Sequence, residues 1–521
     1  MRRGRARSGA IAVALCAIVA NASACARPSP ERKPGQIQVD IESSPTSTDP
    51  RFATDAISSR VNELVFDSLV KISREGDFVG DLAERIERPD PITLIFHLQH
   101  GVRFSDGREL TARDVKFTYD SILAPASMSA KRAGMIELAS ITATDDYTVT
   151  MTTRHPYAPA LEIAMQGIVP EGTPLPAKST AAGPPGTGAF AMLSYRRDES
   201  VTLARNPYRT AAPAAAREIL FKVVPDATVR ALELAEGICD LSENNLEATV
   251  LPWLANHQML EISNTAGTTY KYLEFNFRDP RLRDLRVRRA IAYSIDRAAI
   301  VSSMLHGTAR IASGMLTPES WAYDGDVATY GYDPAAARRL LDQAGYRADA
   351  RGMRNLRFEY KTTPEGARVA EVFQAMLKRV GIQLDIRTLE WATFYGDIQR
   401  GEFELTSLQF VGIEDPNFYY TVFDSAMAPP HGSNRGYYSN PEMDALVEAG
   451  QRTIDPAARK KIYANVQKLA ADDLPYVSLW WVNTVAVLNR GVQGFDPYPN
   501  GSLRSLAQVT LVEPGGAEPA Q

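Results

Sequence analysis

The stretch between residues 356 and 410 constrains the fold more than any other part of this 521-residue sequence. Its pattern alternates strands with helices: a strand near Phe358 to Lys361, a helix entered through Thr363-Pro364 and closed by Gly381, a strand from Ile382 to Thr388, a short helix from Trp391, and a strand near Leu405 to Phe410. Strands and helices in this order form a parallel sheet with right-handed crossovers. We therefore expect an α/β protein with an open sheet.

Open α/β sheets bind ligands beyond the carboxyl ends of their strands. Alternating residues from Gln36 to Ile41 predict another strand, and a run of turn-forming residues follows it. On topology alone, the candidate ligand contacts lie in the loop after residue 41 with Ser43 and Ser44, in the segment after Thr388 with Trp391 and Phe394, and in the loop from Phe410 to Asn417.

Other segments predict further elements around this sheet. A chain of this length exceeds what one hydrophobic core serves, so two or more lobes are expected. Strand patterns at 92–98 and 147–153, with a capping box at Thr111 and Asp114 between them, predict a small α+β unit over about 73–185.

Helical spacing predicts a helix through Val61 and Val70 with Asn62 and Glu63 on its wet side. It also predicts one long helix from Asp284 to Leu305, whose arginines form a solvated face.

The N-terminus predicts an export signal over residues 1–24. Four arginines precede an apolar run from Ile11 to Ala20, which is too short to span a bilayer, and Ala22-Ser23-Ala24 precede Cys25. The segment resembles a bacterial lipoprotein signal, which implies a lipid on Cys25; a plain cleavage site of the Ala-x-Ala type is the alternative. Residues 25–35 predict a flexible tether, and residues 514–521 a disordered tail.

Charge and cysteine content exclude some partners and bonds. Removal of residues 1–24 would take away four arginines and no acidic residue, so the net charge would move from -5 to -9. Nucleic acid is therefore not an expected partner. Cys239 would be the one remaining unmodified cysteine, so no intrachain disulfide is expected.

The sequence predicts no metal site, no cofactor and no catalytic residue. Its six histidines form no zinc-binding pattern, and the glycine run at 183–188 lacks the lysine of a phosphate loop. An acyl-enzyme is the enzymatic alternative, since three short stretches imitate the motifs of penicillin-recognising proteins: Ser68-Leu69-Val70-Lys71, Ser242-Glu243-Asn244 and Lys361-Thr362-Thr363. The second has Glu where Asp is expected, and the third lacks its glycine.

A series of short landmarks, in a fixed order, resembles extracellular solute-binding proteins of family 5, the peptide- and nickel-binding components of ABC importers. The resemblance runs from about Gln36 to about Leu488. Its landmarks are Leu82-Ala83-Glu84, His97-Leu98-x-x-Gly101-Val102-x-Phe104-x-Asp106-Gly107, Leu110-Thr111-Ala112-x-Asp114-Val115-x-Phe117, Gly186-Thr187-Gly188-Ala189-Phe190, Asn206-Pro207-Tyr208, Gly237-x-x-Asp240, Val287-Arg288-x-Ala290-Ile291-x-x-x-Ile295-Asp296, Ala344-Gly345-Tyr346, Asp415-Pro416, Tyr438-x-Asn440-Pro441-x-x-Asp444 and Leu474-Pro475.

The resemblance implies a two-lobed periplasmic-binding-protein fold (type II, cluster C) with an extra α+β subdomain, whose lobes close over a ligand by a hinge with two chain crossings. Mapped onto this chain, lobe I would comprise 36–72, 186–275 and 478–513, the extra subdomain 73–185, and lobe II 276–477. It also implies a monomer in the periplasm or at the cell surface, anchored to the membrane by the lipid on Cys25, that passes its ligand to ABC permease subunits.

The resemblance further implies where a peptide would bind. In peptide-binding relatives an aspartate four residues before the proline of the Asp-Pro motif holds the α-amino group of the ligand, and here that position is Gly412. Glu414 or Asp415 could take over this contact, although Asp415 belongs to the structural turn. Trp391, Phe394 and Phe410 are candidates for the pocket lining. The expected ligand is a short peptide; the alternatives are an oligosaccharide, an opine-like compound, a metal chelate, or a sensor that imports nothing.

Overall fold

The computed structural model describes residues 33, 35–175, 183–210 and 212–512. The predicted signal over 1–24, the predicted lipid site Cys25 and the predicted tail 514–521 lie outside this part of the chain.

One 11-stranded mixed sheet runs through the molecule. From one edge to the other its strands are Gln383–Thr388, Arg357–Thr362, Leu405–Phe410, Leu260–Phe275, Tyr476–Asn489, Leu241–Glu243, Gln36–Ile41, Glu218–Val223, Ser200–Arg205 and Phe190–Arg196, and Ala309–Ile311 pairs with Tyr476–Asn489 outside this path. The predicted β-α-β-α-β segment is confirmed, because Arg357–Thr362 pairs in parallel with both Gln383–Thr388 and Leu405–Phe410. The predicted first strand is confirmed at Gln36–Ile41.

The two longest strands connect the two halves of this sheet. Leu260–Phe275 and Tyr476–Asn489 pair antiparallel along most of their lengths. Their register shifts between Thr265 and Thr269, which pair with Thr484 and Val482. This irregularity lies midway along the pair, where the chain passes from one half of the molecule to the other. The two halves of the sheet are therefore joined through an irregular pairing.

A separate four-stranded antiparallel sheet forms the small α+β unit. Its strands, in spatial order, are Ala83–Asp90, Thr93–Leu98, Thr148–Thr153 and Leu138–Ala143. Thr111 and Asp114 form the predicted capping box at the start of the helix Ala112–Leu123. The core of this unit begins at Leu69, a few residues before the predicted start of the subdomain, and extends to Ile168.

Distinct hydrophobic cores lie on the two halves of the large sheet. One half packs on residues such as Val39, Phe221 and Leu506. The other half has a core on each face, one around Phe358 and Leu377 and one rich in aromatic residues. This arrangement is the expected two-lobed α/β fold.

The α-helices of the described residues are Ala56–Val65, Ala112–Leu123, Ala160–Ile163, Ala227–Ala235, Leu251–Leu254, Pro280–Arg283, Leu285–Ser294, Arg297–Ser303, Pro334–Gln343, Ala367–Lys378, Trp391–Gln399, Phe418–Phe423, Pro441–Arg452 and Pro456–Asp473. A two-stranded hairpin joins Val70–Ile72 to Phe78–Gly80, and another pairing joins Val492–Gln493 to Thr510–Leu511.

Two helix predictions are wrong in detail. The helix predicted through Val61 and Val70 ends at Val65, and Val70 begins a strand. Asn62 and Glu63 do not form the predicted wet side. Asn62 is buried and its amide donates to Ser47 O, and the Glu63 carboxylate accepts from Ser502 Oγ and the backbone N–H of Leu503. The long helix predicted over 284–305 is two helices, since Asp296 caps the second one.

The arginines of that segment do not form one solvated face. Arg288 is buried and donates to the carbonyl oxygens of Leu282, Arg283, Asp473 and Leu474. These carbonyl groups lie at the C-terminal ends of the helices Pro280–Arg283 and Pro456–Asp473, where carbonyl groups lack helical partners. A buried guanidinium has enough donors to satisfy several of them.

Candidate functional site

The loop after the strand Leu405–Phe410 has a backbone that favours glycine at one position. Gly412 has φ +63°, in the left-handed region. A Cβ atom placed on Gly412 would lie 3.6 Å from Glu414 Oε1 and 3.9 Å from Asn500 Cβ. The Glu414 carboxylate therefore lies beside the space into which a side chain at position 412 would project.

Glu414 links this loop to the C-terminal segment of the chain. Asn500 Nδ2 donates a hydrogen bond to Glu414 Oε1 over 2.8 Å. Burial raises the pKa of the Glu414 carboxyl, and the bond from Asn500 opposes that rise. A partly buried carboxylate with acceptor capacity left over is suited to a cationic group.

Asp415, by contrast, is fully engaged within its own lobe. It is buried, and Arg459 binds both of its oxygens, at 2.8 Å and 2.5 Å. It also accepts from the backbone N–H of Asn417 (2.7 Å), which closes the Asp-Pro turn. Asp415 thus has the structural role that an Asp-Pro turn suggests. Asn417 is buried beside it, and its Oδ1 has no hydrogen-bond partner among the described residues.

The aromatic candidates divide into one exposed ring and two buried rings. Trp391, the first residue of its helix, is 56% exposed, and it stacks on Tyr395 with ring centroids 5.3 Å apart. Phe394 is only 2% exposed and belongs to the aromatic core. Phe410 is 8% exposed and stacks on Tyr272 at 4.6 Å. Only Trp391 offers a ligand a large apolar surface.

Arg435 is a neighbour of these rings that the sequence did not indicate. Its guanidinium lies over the Tyr395 ring (5.5 Å) and the Phe410 ring (5.9 Å). The cation fixes the stack beneath Trp391 through two cation-π contacts. Position 435 lies outside every motif of the sequence, so no local pattern could have identified it.

Ser43 and Ser44 lie in the loop after the first strand, as predicted. Ser43 is exposed, whereas Ser44 Oγ accepts from the backbone N–H of Asp198 (2.6 Å). That bond ties Ser44 to a neighbouring hairpin turn. No described contact joins either serine to the loop of Gly412.

The small α+β unit also reaches the region of this loop. The backbone N–H of Ala158 donates to Gln451 O over 2.7 Å, which joins the unit to the half of the molecule that carries Asp415. Burial, and next the Asp415 carboxylate, raise the pKa of Glu162 to about 8. Sequence reasoning missed this contact because the two segments are far apart along the chain.

The motifs that imitate an acyl-enzyme do not assemble. Ser68 is buried, and its hydroxyl donates to Val70 O (2.6 Å). Lys361 lies in the other half of the molecule, where its Nζ pairs with Asp397 (2.8 Å). A serine nucleophile needs a base within hydrogen-bond reach, and Lys361 is not that base for Ser68.

The described residues provide neither a metal-binding cluster nor a helix that could span a membrane. No group of three or more His, Cys, Asp or Glu side chains there could hold a metal ion. Within the same residues, no helix has the length and apolar character needed to cross a bilayer.

Comparisons with known proteins agree with this architecture. The profile of "Bacterial extracellular solute-binding proteins, family 5 Middle" matches residues 77–429. The dipeptide-binding protein of Escherichia coli is 26% identical, over 88% of this chain and 92% of its own.

Two solved structures have the same fold. The oligopeptide-binding protein AppA from Bacillus subtilis, in complex with a nonapeptide, superposes with a TM-score of 0.79 at 23% identity, over 92% of this chain and 99% of its own. NikA from Brucella suis, in complex with Fe(III)-EDTA, superposes with a TM-score of 0.83 at 23% identity, over 92% of this chain and 100% of its own.

Proposed function

Because the chain belongs to the bacterial extracellular solute-binding proteins of family 5, we propose that it captures a short peptide between its two lobes and delivers it to the permease of an ABC importer. The observation that carries the peptide part is the position of Glu414. Its carboxylate lies 3.6 Å from the place of a Cβ at residue 412, where peptide-binding relatives are expected to have their amine-binding aspartate.

Glu414 takes over the contact with the α-amino group of the peptide. Asp415 is already bound by Arg459, whereas Glu414 has one hydrogen bond from Asn500 and acceptor capacity to spare. A charge-assisted bond from an ammonium group to a carboxylate is strong in a cleft that excludes water. The exposed face of Trp391 provides apolar surface for a neighbouring part of the peptide.

Capture requires a change between an open and a closed form. We propose that lobe I comprises 36–72, 186–275 and 478–513, that lobe II comprises 276–477, and that 73–185 form the extra subdomain. The lobes move about the irregular pairing near Thr265 and Thr484. The ligand favours the closed form because it contacts both lobes only there, and the permease recognises that form. The peptide leaves chemically unchanged.

The site of action is outside the cytoplasm. We propose that residues 1–24 are removed on export and that a lipid on Cys25 holds the monomer at the membrane, with residues 25–35 as a tether. Cleavage without lipidation is the alternative. Mass spectrometry of the protein from its native membrane distinguishes the two, since an acylated N-terminal cysteine has a much larger mass.

A metal chelate is the second candidate ligand. NikA from Brucella suis, which has the same fold, was solved with Fe(III)-EDTA. Trp391 could contact the apolar edge of a chelator as well as a peptide. Glu414 favours the peptide, because a carboxylate repels the anionic chelates and attracts an ammonium group.

Native mass spectrometry of protein purified without denaturation tests the proposal. A series of bound masses that match short peptides, together with thermal stabilisation by the same synthetic peptides, is the expected result. A bound sugar or chelate of a single mass would contradict the peptide part. Release of cleaved peptides would contradict a role in binding without catalysis.

A further inference from the structure

The extra α+β unit contains a cavity of its own. It has about 420 Å³ of water-accessible space and is lined by Lys131, Gly134, Met135, Tyr157, Glu162, Ile163, Met165 and Gln166. This volume lies in the range of small-molecule sites in proteins. None of the nine residues predicted from the sequence as ligand contacts lines it.

One acidic and one basic side chain, Glu162 and Lys131, line this cavity and form no ion pair with each other. Lys131 Nζ donates to Gln166 Oε1 (3.1 Å), but it forms no ion pair with any carboxylate of the described residues. The Glu162 carboxylate forms no hydrogen bond and no ion pair with another described side chain. Arg459, whose charge lowers the pKa of Glu162, is bound to Asp415. Each charge therefore has bonding capacity left for a ligand.

Burial shifts the pKa of both groups so that the neutral form is favoured, as expected for ionisable groups without a countercharge. It lowers the pKa of Lys131 to about 8, and it raises the pKa of Glu162 to about 8. A ligand that brought the opposite charge to each group would offset the free-energy cost of burying the two groups in their charged forms.

Apolar side chains form much of the remaining wall, beside Tyr157 and Gln166. Met135 and Ile163 are buried, and the Met165 side chain is partly exposed. Thioether and aliphatic groups adapt to an aliphatic side chain of variable shape. The wall thus combines an anionic group, a cationic group and an apolar surface.

We propose that this cavity is a second binding site, which takes a zwitterionic solute the size of an amino acid. Glu162 accepts from the ammonium group of the solute, Lys131 donates to its carboxylate, and its aliphatic side chain contacts Met135, Ile163 and Met165. The site is lined by residues of the extra unit alone, although the Asp415 and Glu414 carboxylates also act on the pKa of Glu162. The inference does not depend on the function proposed for the interlobe cleft.

Calorimetric titration of the mature protein with L-leucine tests this site. L-Leucine is expected to bind at least about tenfold more tightly than L-leucinamide, which lacks the carboxylate, and than N-acetyl-L-leucine, which lacks the ammonium group. Glu162→Gln is expected to abolish the preference for L-leucine over N-acetyl-L-leucine. Lys131→Gln is expected to abolish the preference for L-leucine over L-leucinamide. The matched controls are Glu84→Gln, which removes an exposed charge, and Lys116→Gln, which removes a half-exposed charge paired with Asp120; both residues lie in the same unit, and both variants should preserve both preferences.

A cleft variant separates this site from the function proposed above. Trp391→Ala should leave the titration with L-leucine unchanged, even if it abolishes binding of trialanine. The inference is overturned if L-leucine does not bind at millimolar concentration, if its amide and acetyl derivatives bind equally well, or if Trp391→Ala abolishes its binding. If L-leucine binds as expected and trialanine does not bind, only the proposed peptide function is contradicted.

Discussion

Asn500 Nδ2 and Glu414 Oε1 lie 2.8 Å apart, so the segment around Asn500 holds the Glu414 carboxylate at the place where we propose that the peptide amine binds. The pair joins residues 86 positions apart in sequence. It gives the proposed amine contact a fixed orientation, since one carboxylate oxygen is bound and the other remains available.

Glu414→Gln should weaken binding of peptides with a free amine by about tenfold or more, because a neutral amide cannot form a charge-assisted bond with an ammonium group. The same peptides with an acetylated amine should bind wild type and variant equally. Calorimetry with trialanine and acetyl-trialanine checks this. Glu365→Gln is the control, since Glu365 is exposed on the same lobe. Equal loss for both peptides would indicate a structural role for Glu414 instead.

Trp391→Ala should weaken peptide binding with little effect on stability, whereas Phe394→Ala should mainly lower stability. Trp391 is 56% exposed, so its removal should change the free energy of unfolding by no more than about 0.5 kcal/mol while peptide affinity falls. Phe394 is 2% exposed, so its truncation should cost about 3–5 kcal/mol of stability through the cavity left behind. Urea unfolding and peptide titration measure the two quantities. A large loss of stability in Trp391→Ala would refute its assignment as a ligand surface.

Asp415→Asn should destabilise the protein by about 3–5 kcal/mol, because it leaves Arg459 buried without its countercharge. The matched control is Glu319→Gln, which breaks the exposed pair with Arg310 and should cost no more than about 1 kcal/mol. Chemical denaturation of both variants without ligand provides the comparison. Similar values for the two would mean that the Asp415–Arg459 pair is not structural.

Gly267→Ala should disturb the hinge. A Cβ at this position would lie 2.3 Å from Val482 O and 2.9 Å from Thr484 N, so the two crossing strands would have to separate. We expect a loss of about 1–3 kcal/mol and a shift in the solution scattering profile of the ligand-free protein. At Gly331 a Cβ would meet nothing within 4 Å, so Gly331→Ala should be nearly neutral. Unchanged scattering in Gly267→Ala would place the hinge elsewhere.

Glu243→Gln should flatten the dependence of stability on pH. Burial raises the pKa of Glu243 from its ordinary value of 4.5 to about 8, although the nearby Arg60 opposes the rise. Between these values the folded protein holds a proton that the unfolded chain has released, so the stability of the wild type falls as pH rises across this window. The variant should lose this contribution, as measured by urea unfolding from pH 5 to pH 8. The exposed neighbour Glu247, changed to Gln, should keep the slope of the wild type.

The sequence predicted the parts of the fold that are encoded locally. The parallel strands around Arg357–Thr362 follow from apolar runs separated by helix signals, and the capping box at Thr111 was visible as a spacing. The helix predicted through Val61 and Val70 continued too far, because periodicity alone does not reveal that Val70 pairs with Gly80 in a hairpin.

The site was less predictable because its groups come from distant segments. Glu414 was a candidate, but Asn500, which orients it, has no signature in the sequence. Phe394 and Phe410 were chosen as aromatic residues in the right loops, and only burial distinguishes them from Trp391. The cavity of Lys131 and Glu162 depends on two short helical segments of the extra unit that no motif connects.

The strand Tyr476–Asn489 lies between Leu260–Phe275 and Leu241–Glu243 in the sheet, yet it follows both of them along the chain. Until it is available, the strands on its two sides have no common neighbour, and the sheet exists only as two disconnected pieces. The earlier strands therefore cannot assemble into one sheet on their own, and completion of the fold must wait for this late contact between distant segments.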